Sequence, residues 1–274
     1  MADLREDNLF GSYYEQKKNW YYEHKSKYIE FLISKHFPKS VNSELNCLDI
    51  GAGNGIMGRM MRDSLSKRGV FSRWDSVDTE YKEQDLVRLR SVGLNASKSI
   101  PSKKYDLILA IDVAEHVNDD RSFFCCLLEH LSVDGICVIT VPAFSWLWSS
   151  HDIFLKHYRR YTRTDLTATL QACGYDDVDS GFLFSLILPI AFVVRSIDQL
   201  TTRTLSSLGK NKLALTHKGQ RTKVGSVTSS LLRCGHKLER YLKKRSWRAA
   251  ALWGVTCYCV AKSLSKDEKK VAYD

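Results

Sequence analysis

The sequence lacks any apolar run long enough to cross a bilayer comfortably. Its longest, from Gly181 to Val194, is apolar for 14 residues apart from Ser185, short of the roughly 20 that a spanning helix requires. It reads instead as a core or interfacial segment. No pair among the eight cysteines (47, 125, 126, 137, 173, 234, 257 and 259) has CxxC spacing. That argues against a structural zinc site, and their placement in apolar runs favours buried free thiols in a reducing, cytoplasmic setting. The first residues, MADLREDNLF, are charged and carry no apolar core, so no secretory signal is expected.

What is present fits a globular chain of 274 residues with 44% hydrophobic and 26% charged residues. The net charge of +10 is unevenly placed: between Arg195 and Arg248 there are 14 Lys/Arg and two acids, Asp198 and Glu239. Downstream of the apolar stretch, Val227, Leu231, Leu238 and Leu242 recur at helical spacing among basic residues. A basic amphipathic helix beside an apolar patch suits an anionic membrane surface through residues 181–248. It also suits nucleic acid or a cap over an active site. Aromatics interleaved with the basic residues for base stacking are few (Tyr241, Trp247), which ranks nucleic acid below membrane.

Short apolar runs alternate with helical patterns along residues 45–142. Strands are expected at Asn46–Ile50, around RWDSVDTE to Asp78, ending near Asn95, at Tyr105–Asp112 and at Gly135–Pro142, with helices between. This alternation implies a parallel sheet covered on both faces. Ligands of such sheets bind beyond the carboxyl ends of the strands. Further strands are expected at Val178–Phe184 and Val255–Ser263. The aromatic-rich segment 10–37 reads as a helical extension, either packed on the sheet or closing over a ligand.

The stretch CLDIGAGNGIMGRMM (47–61) reads as a buried strand, a glycine turn and the start of a helix. Gly53-x-Gly55-x-x-Gly58 formally matches a dinucleotide fingerprint, with Asp78 where a ribose-binding acid belongs. Asp49 argues against it, because a carboxylate before the glycines would repel a pyrophosphate.

LDIGAGNG (48–55), SVDTEY (76–81), YDLILAIDVAEHV (105–117) and LSVDGICVITVP (131–142) together resemble the ordered motifs of class I S-adenosylmethionine-dependent methyltransferases. The later segment SWLWSSHDIFLKHYRRYT (145–162) resembles a bacterial subgroup, some of which act in polyprenol-linked glycan or lipid pathways. The implied fold is α/β: a Rossmann-like, doubly wound seven-stranded sheet, mostly parallel with an antiparallel last strand. The implied organisation is an N-terminal helical lid (1–40), a cofactor-binding core (41–184), a basic helical insertion (185–248) and a closing strand with its tail (249–274).

By resemblance, Asp49, Gly51, Ala52, Gly53 and Gly55 surround the amino-acid end of S-adenosylmethionine. Asp78 takes the ribose hydroxyls, Thr79 flanks the adenine, Asn95 meets its amine, and Asp112 and Val113 sit beside the methionine part. Proton acceptors for the transfer are sought among Glu115, His116, His151, Asp152 and His157, although Glu115 and His116 equally suit helix capping. Arg159 and Arg160 suit either an anionic substrate group or a loop-stabilising ion pair. Asp112-x-x-Glu115-His116 is similar to the E-x-x-E-H that binds a divalent metal in ubiquinone-pathway O-methyltransferases and plant small-RNA 2′-O-methyltransferases. Asp112 has a shorter reach than that Glu, and the metal is an alternative rather than the favoured reading. The implied reaction is methyl transfer to an oxygen, less readily a nitrogen, of a small-molecule or lipid-linked metabolite. The rivals are an RNA-directed methyltransferase and a non-catalytic cofactor-binding module. Peripheral membrane association extends the cytoplasmic expectation. Neither the acceptor nor the oligomeric state can be read from these residues.

Overall fold

A computed structural model describes residues 13–36, 44–207 and 253–263, with the single positions 235, 239 and 241. The strands are β1 (Leu45–Ile50), β2 (Ser72–Val77), β3 (Asn95–Ser97), β4 (Tyr105–Ile111), β5 (Leu131–Pro142), β6 (Tyr175–Leu183) and β7 (Thr256–Ser263). They form one sheet in the order β3-β2-β1-β4-β5-β7-β6. Pairs from β3 through β5 are parallel, and β7 runs antiparallel to both β5 and β6. The order reverses between β1 and β4, where open α/β sheets place their ligand crevice.

The helices are α1 (Tyr13–Lys18), α2 (Trp20–His36), α3 (Ile56–Lys67), α4 (Glu83–Ser91), α5 (Asp120–His130), α6 (Ser150–Leu155), α7 (Arg163–Ala172) and α8 (Leu188–Ser207). Strand periodicity divides the core between the two sheet faces. Leu107, Leu109 and Ile111 of β4 and Ile136 and Val138 of β5 join Tyr28, Ile29 and Leu32 of α2 and Ile56 and Met60 of α3. The alternate residues Ile108, Ala110, Cys137, Ile139 and Val141 join Phe124 and Leu127 of α5 and Leu166 and Leu170 of α7. Because β4 is buried on both faces, its sequence is almost continuously apolar. Cys47 and Cys137 are buried free thiols within these layers, where Cys257 and Cys259 are also buried.

Local signals fix the helix starts. Thr162 and Asp165 form a reciprocal capping box at α7, and Asp119 accepts the Ser122 N–H at α5 (3.0 Å). Gly55 precedes α3 in the left-handed region, with φ of 75°. A Cβ there would lie 2.7 Å from Leu89 Cδ2 and 2.9 Å from Leu94 Cδ1. Gly55→Ala should therefore lower unfolding stability by about 2–4 kcal/mol, combining left-handed strain with overpacking. Urea denaturation monitored by tryptophan fluorescence checks this expectation.

The expected seven-stranded doubly wound sheet with an antiparallel last strand is present among the described residues. One boundary shifts the site. β3 begins at Asn95 rather than ending there, because Asp75 pairs with Asn95 and Val77 with Ser97. The apolar stretch from Gly181 divides into the end of β6, a 3₁₀ turn at Ser185–Ile187 and the start of α8. Among the described residues no helix is long and apolar enough to cross a membrane. The amphipathic pattern of residues 227–245 lies mostly outside the described residues, as does the C-terminal tail.

Candidate active site

The turn after β1 is held open by glycine geometry. Gly51, Gly53 and Gly55 all have positive φ, at 64°, 53° and 75°. A Cβ on Gly51 would stand 2.5 Å from Val113 Cγ2, so the turn closes against the segment after β4 only because that position has no side chain. Asp49 braces the start of α3 by accepting the Gly58 N–H (2.9 Å). Buried Asp78 accepts the N–H groups of Gly53 (3.1 Å) and Glu80 (2.9 Å). Ala52 donates its N–H to the Val77 carbonyl (3.1 Å), tying the turn to β2. Thr79 follows as an exposed residue at the same edge. Asn95 does not reach this edge. Its amide donates to Asp75 (2.7 Å) two residues below the strand end, and Ser97 occupies the edge position instead.

Asp112 follows β4 in the left-handed region, with φ of 56°. Such strain in a non-glycine residue concentrates at ligand sites. Phe144 and Phe184, after β5 and β6, share the feature with φ of 57° and 62°. The Asp112 carboxylate accepts the Tyr21 hydroxyl (2.7 Å), the Thr140 hydroxyl (3.0 Å) and the buried Lys25 ammonium. Lys25 also donates to the Tyr21 oxygen (2.9 Å). Helix α2 thereby covers the glycine turn, with Tyr21, Tyr22, Lys25, Asp49, Gly51, Ala52 and Asp112 around one small cleft. Tyr21 stacks on Phe184 at 5.7 Å between centroids. The aromatic segment thus packs on the sheet and closes over the crevice at once. Lys25 was not singled out in the sequence, since one lysine in a charged amphipathic helix carries no distinguishing signal.

Beyond Asp112 lies a larger cavity of about 340 Å³. Glu115, His116, His151 and His157, each expected near the transfer step, all line it. Glu115 and His116 form a 3₁₀ turn after β4, and the His116 and His157 rings meet edge to face at 4.7 Å. Ligand atoms of Glu115, His116 and His157 lie within 4.8 Å of one another, a spacing that could hold a divalent ion. Asp112 is not part of that group, because its carboxylate is paired with Lys25.

The centre of the loop after β5 is Asp152. It begins as the third residue of a capping box with Ser149 on α6. Its fully buried carboxylate then receives His157 Nδ1 (2.8 Å), Arg160 Nε (2.8 Å), Arg160 NH2 (3.0 Å) and Arg195 NH1 (3.1 Å). Burial alone would push this carboxyl up. The His157 hydrogen bond and the Arg160 and Arg195 charges outweigh that effect and hold it well below the usual carboxylate range. Arg160 is thereby the loop-stabilising partner, and Arg159 pairs with Asp120 (2.9 Å) and donates to the Asn118 carbonyl. Arg195, on α8, enters the site unforeseen from the sequence, where it stands at the junction of an apolar run and a basic one.

A methyltransferase-domain family model matches residues 21–180. The ubiquinone biosynthesis O-methyltransferase of Rickettsia akari is 23% identical over 118 residues, covering 41% of this chain and 47% of that protein. The homologue from Rickettsia prowazekii is 24% identical over 117 residues, with 41% and 46% covered. The chain therefore spans about half the length of the curated relatives it matches. Among solved structures, one described as a sarcosine dimethylglycine methyltransferase from Galdieria sulphuraria superposes with a TM-score of 0.52 at 16% identity, covering 86% of this chain and 84% of that one. Phosphoethanolamine N-methyltransferase 2 of Haemonchus contortus, in complex with S-adenosyl-L-methionine, gives 0.50 at 13% identity, covering 87% and 53%. These likenesses carry the fold, and the family match spans more than half of the chain. The protein belongs to the class I S-adenosylmethionine-dependent methyltransferases.

Proposed function

We propose that this methyltransferase acts on an oxygen of a small or lipid-linked acceptor held in the 340 Å³ cavity, with His157 as the proton acceptor. The carrying observation is the Asp152–His157 pair. Its 2.8 Å contact through Nδ1 commits that nitrogen to the carboxylate and leaves Nε2 to accept a proton in a cavity shared with Asp112. A His157 variant that keeps native kcat would remove this residue from the role of proton acceptor. The Rickettsia relatives are O-methyltransferases, which favours oxygen over nitrogen. The apolar wall formed by Ile187, Ile190, Ala191 and Val194 favours a compact or lipid-like acceptor over RNA.

The residues of the cleft fit the cofactor. The Gly51 position, which a side chain would fill, permits close approach of the turn, and the Lys25–Asp112 pair has the complementary charges for an amino acid's carboxylate and ammonium. Lys25 would meet the carboxylate and Asp112 the ammonium. Asp78 would take the ribose hydroxyls, and Thr79 would flank the adenine. When bound, S-adenosylmethionine supplies an electrophilic methyl group. The chain's own part is to orient the acceptor oxygen, exclude water and take up its proton at His157 Nε2 as the carbon–oxygen bond forms. Lys25→Met should weaken S-adenosylhomocysteine binding about 10- to 100-fold, the loss of one charge-assisted contact. Isothermal titration reads this, and an unchanged Kd would remove Lys25 from the cofactor site.

A second reading follows from the Glu115, His116 and His157 group. A divalent ion there would orient the acceptor hydroxyl and would occupy the nitrogen assigned above as base. The metal-free reading expects full turnover after EDTA treatment and desalting. Loss of turnover restored by Mg²⁺ or Mn²⁺ would favour the ion.

A further inference from the structure

Of the three side chains gathered on the Asp152 carboxylate, one is only partly used. Arg160 spends all its nitrogens: Nε and NH2 on Asp152, and NH1 on the Ala143 carbonyl (2.9 Å). Arg195 bonds through NH1 alone, to the Leu147 carbonyl (2.6 Å), Ser149 Oγ (3.1 Å) and Asp152 (3.1 Å). Its Nε and NH2 have no acceptor among the described residues, and Arg195 lines the cavity. One carboxylate therefore faces two guanidiniums and His157. The nearby Asp198 accepts the Ser150 N–H (2.8 Å) and hydroxyl (3.0 Å). Of the acids lining the cavity, Asp112 is paired with Lys25, and Glu115 belongs to the group with His116 and His157. Burial and the neighbouring Arg160 charge push Arg195 down to about 10, against the opposing pull of Asp152 and Asp198.

The same cavity has an apolar wall. Ile187, Ile190, Ala191 and Val194 recur at helical spacing from the turn before α8 into that helix and face Leu155, Phe184 and Val255. Building on the acceptor-cavity reading above, we infer that the acceptor is an amphiphilic acid. Its carboxylate or phosphate is gripped by the Nε and NH2 edge of Arg195, and its apolar body lies along α8. A guanidinium fork matches two anionic oxygens, whereas a neutral headgroup would leave it without compensation.

The probes are 4-octylbenzoic acid, its neutral isostere 4-octylbenzamide, octyl phosphate and inorganic phosphate. Each is titrated calorimetrically, below micelle formation, into the full chain saturated with S-adenosylhomocysteine. At least one of the two anionic amphiphiles should bind about tenfold or more tightly than the benzamide, and inorganic phosphate should bind far more weakly than octyl phosphate. Which amphiphile binds tighter distinguishes carboxylate from phosphate. Arg195→Gln should erase the preference, and Arg195→Lys should keep part of it. Because Arg195 also braces Asp152, Ala191→Trp provides an independent variant: filling the wall should weaken the amphiphiles while sparing S-adenosylhomocysteine. Binding of both anionic amphiphiles no tighter than that of the benzamide by the native chain would overturn the inference, as would an Arg195→Gln variant that folds and retains the preference. Neither result depends on turnover, so a failure here is separable from failure of the O-methyltransferase reading.

Discussion

His157→Gln should lower kcat by about 10²- to 10⁴-fold, the usual contribution of a positioned general base, while leaving the Kd for S-adenosylhomocysteine unchanged. The effect falls on the chemical step because His157 lines the acceptor cavity and is absent from the cleft around the glycine turn. Glutamine removes the basic ring nitrogen but puts its amide nearer the Nε2 position, so His157→Asn, whose amide stands where Nδ1 meets Asp152 (2.8 Å), serves as the companion variant that retains this hydrogen bond and should lose kcat to the same degree. A variant with native kcat would remove His157 from the mechanism.

The second large effect is on stability. Asp152→Asn keeps the shape of the side chain but leaves Arg160 and Arg195 without their shared counter-charge in a buried setting. Breaking such a group from one side costs about 3–5 kcal/mol, because buried charge is left uncompensated. The sign of its pH dependence follows from the depressed carboxyl. The folded state binds the Asp152 proton less readily than the unfolded chain, whose carboxyl titrates near 3.9. The stabilisation is therefore fully present above that value and is lost as pH falls below it. Chemical denaturation of native and variant chains should show a constant gap from pH 5 to 7 that narrows below about pH 4. A gap independent of pH would show that the carboxylate charge is not what holds the loop.

Much of the architecture was legible because its determinants are local and periodic. The apolar alternation of β1, β4 and β5, the turn glycines and the acid after β2 place the crevice without tertiary information. Asn95 was misplaced for a related reason: β3 has only three residues, too few for periodicity to fix its ends. Asp152 and a loop-stabilising pair with Arg160 were among the sequence's candidates, but Arg195 reaches the same carboxylate from 43 positions away. Such convergence is a property of packing. Lys25 and Phe184 were hidden in the same way, since their roles arise only once α2 lies across the ends of β1 and β4. The acceptor cavity was harder still, because one wall is α8, which the sequence presents as the tail of an apolar run.

In the proposed arrangement the glycine turn, Lys25 and Asp112 hold the cofactor so that its transferable methyl faces the cavity containing His157. A crystal structure of the full chain with S-adenosylhomocysteine tests this directly. The expected result is an amino-acid end between Lys25 and Asp112, ribose hydroxyls on Asp78, and a sulfur facing the cavity shared by Glu115, His116 and His157. A cofactor seated elsewhere, or a sulfur turned away from that cavity, would contradict the assignment.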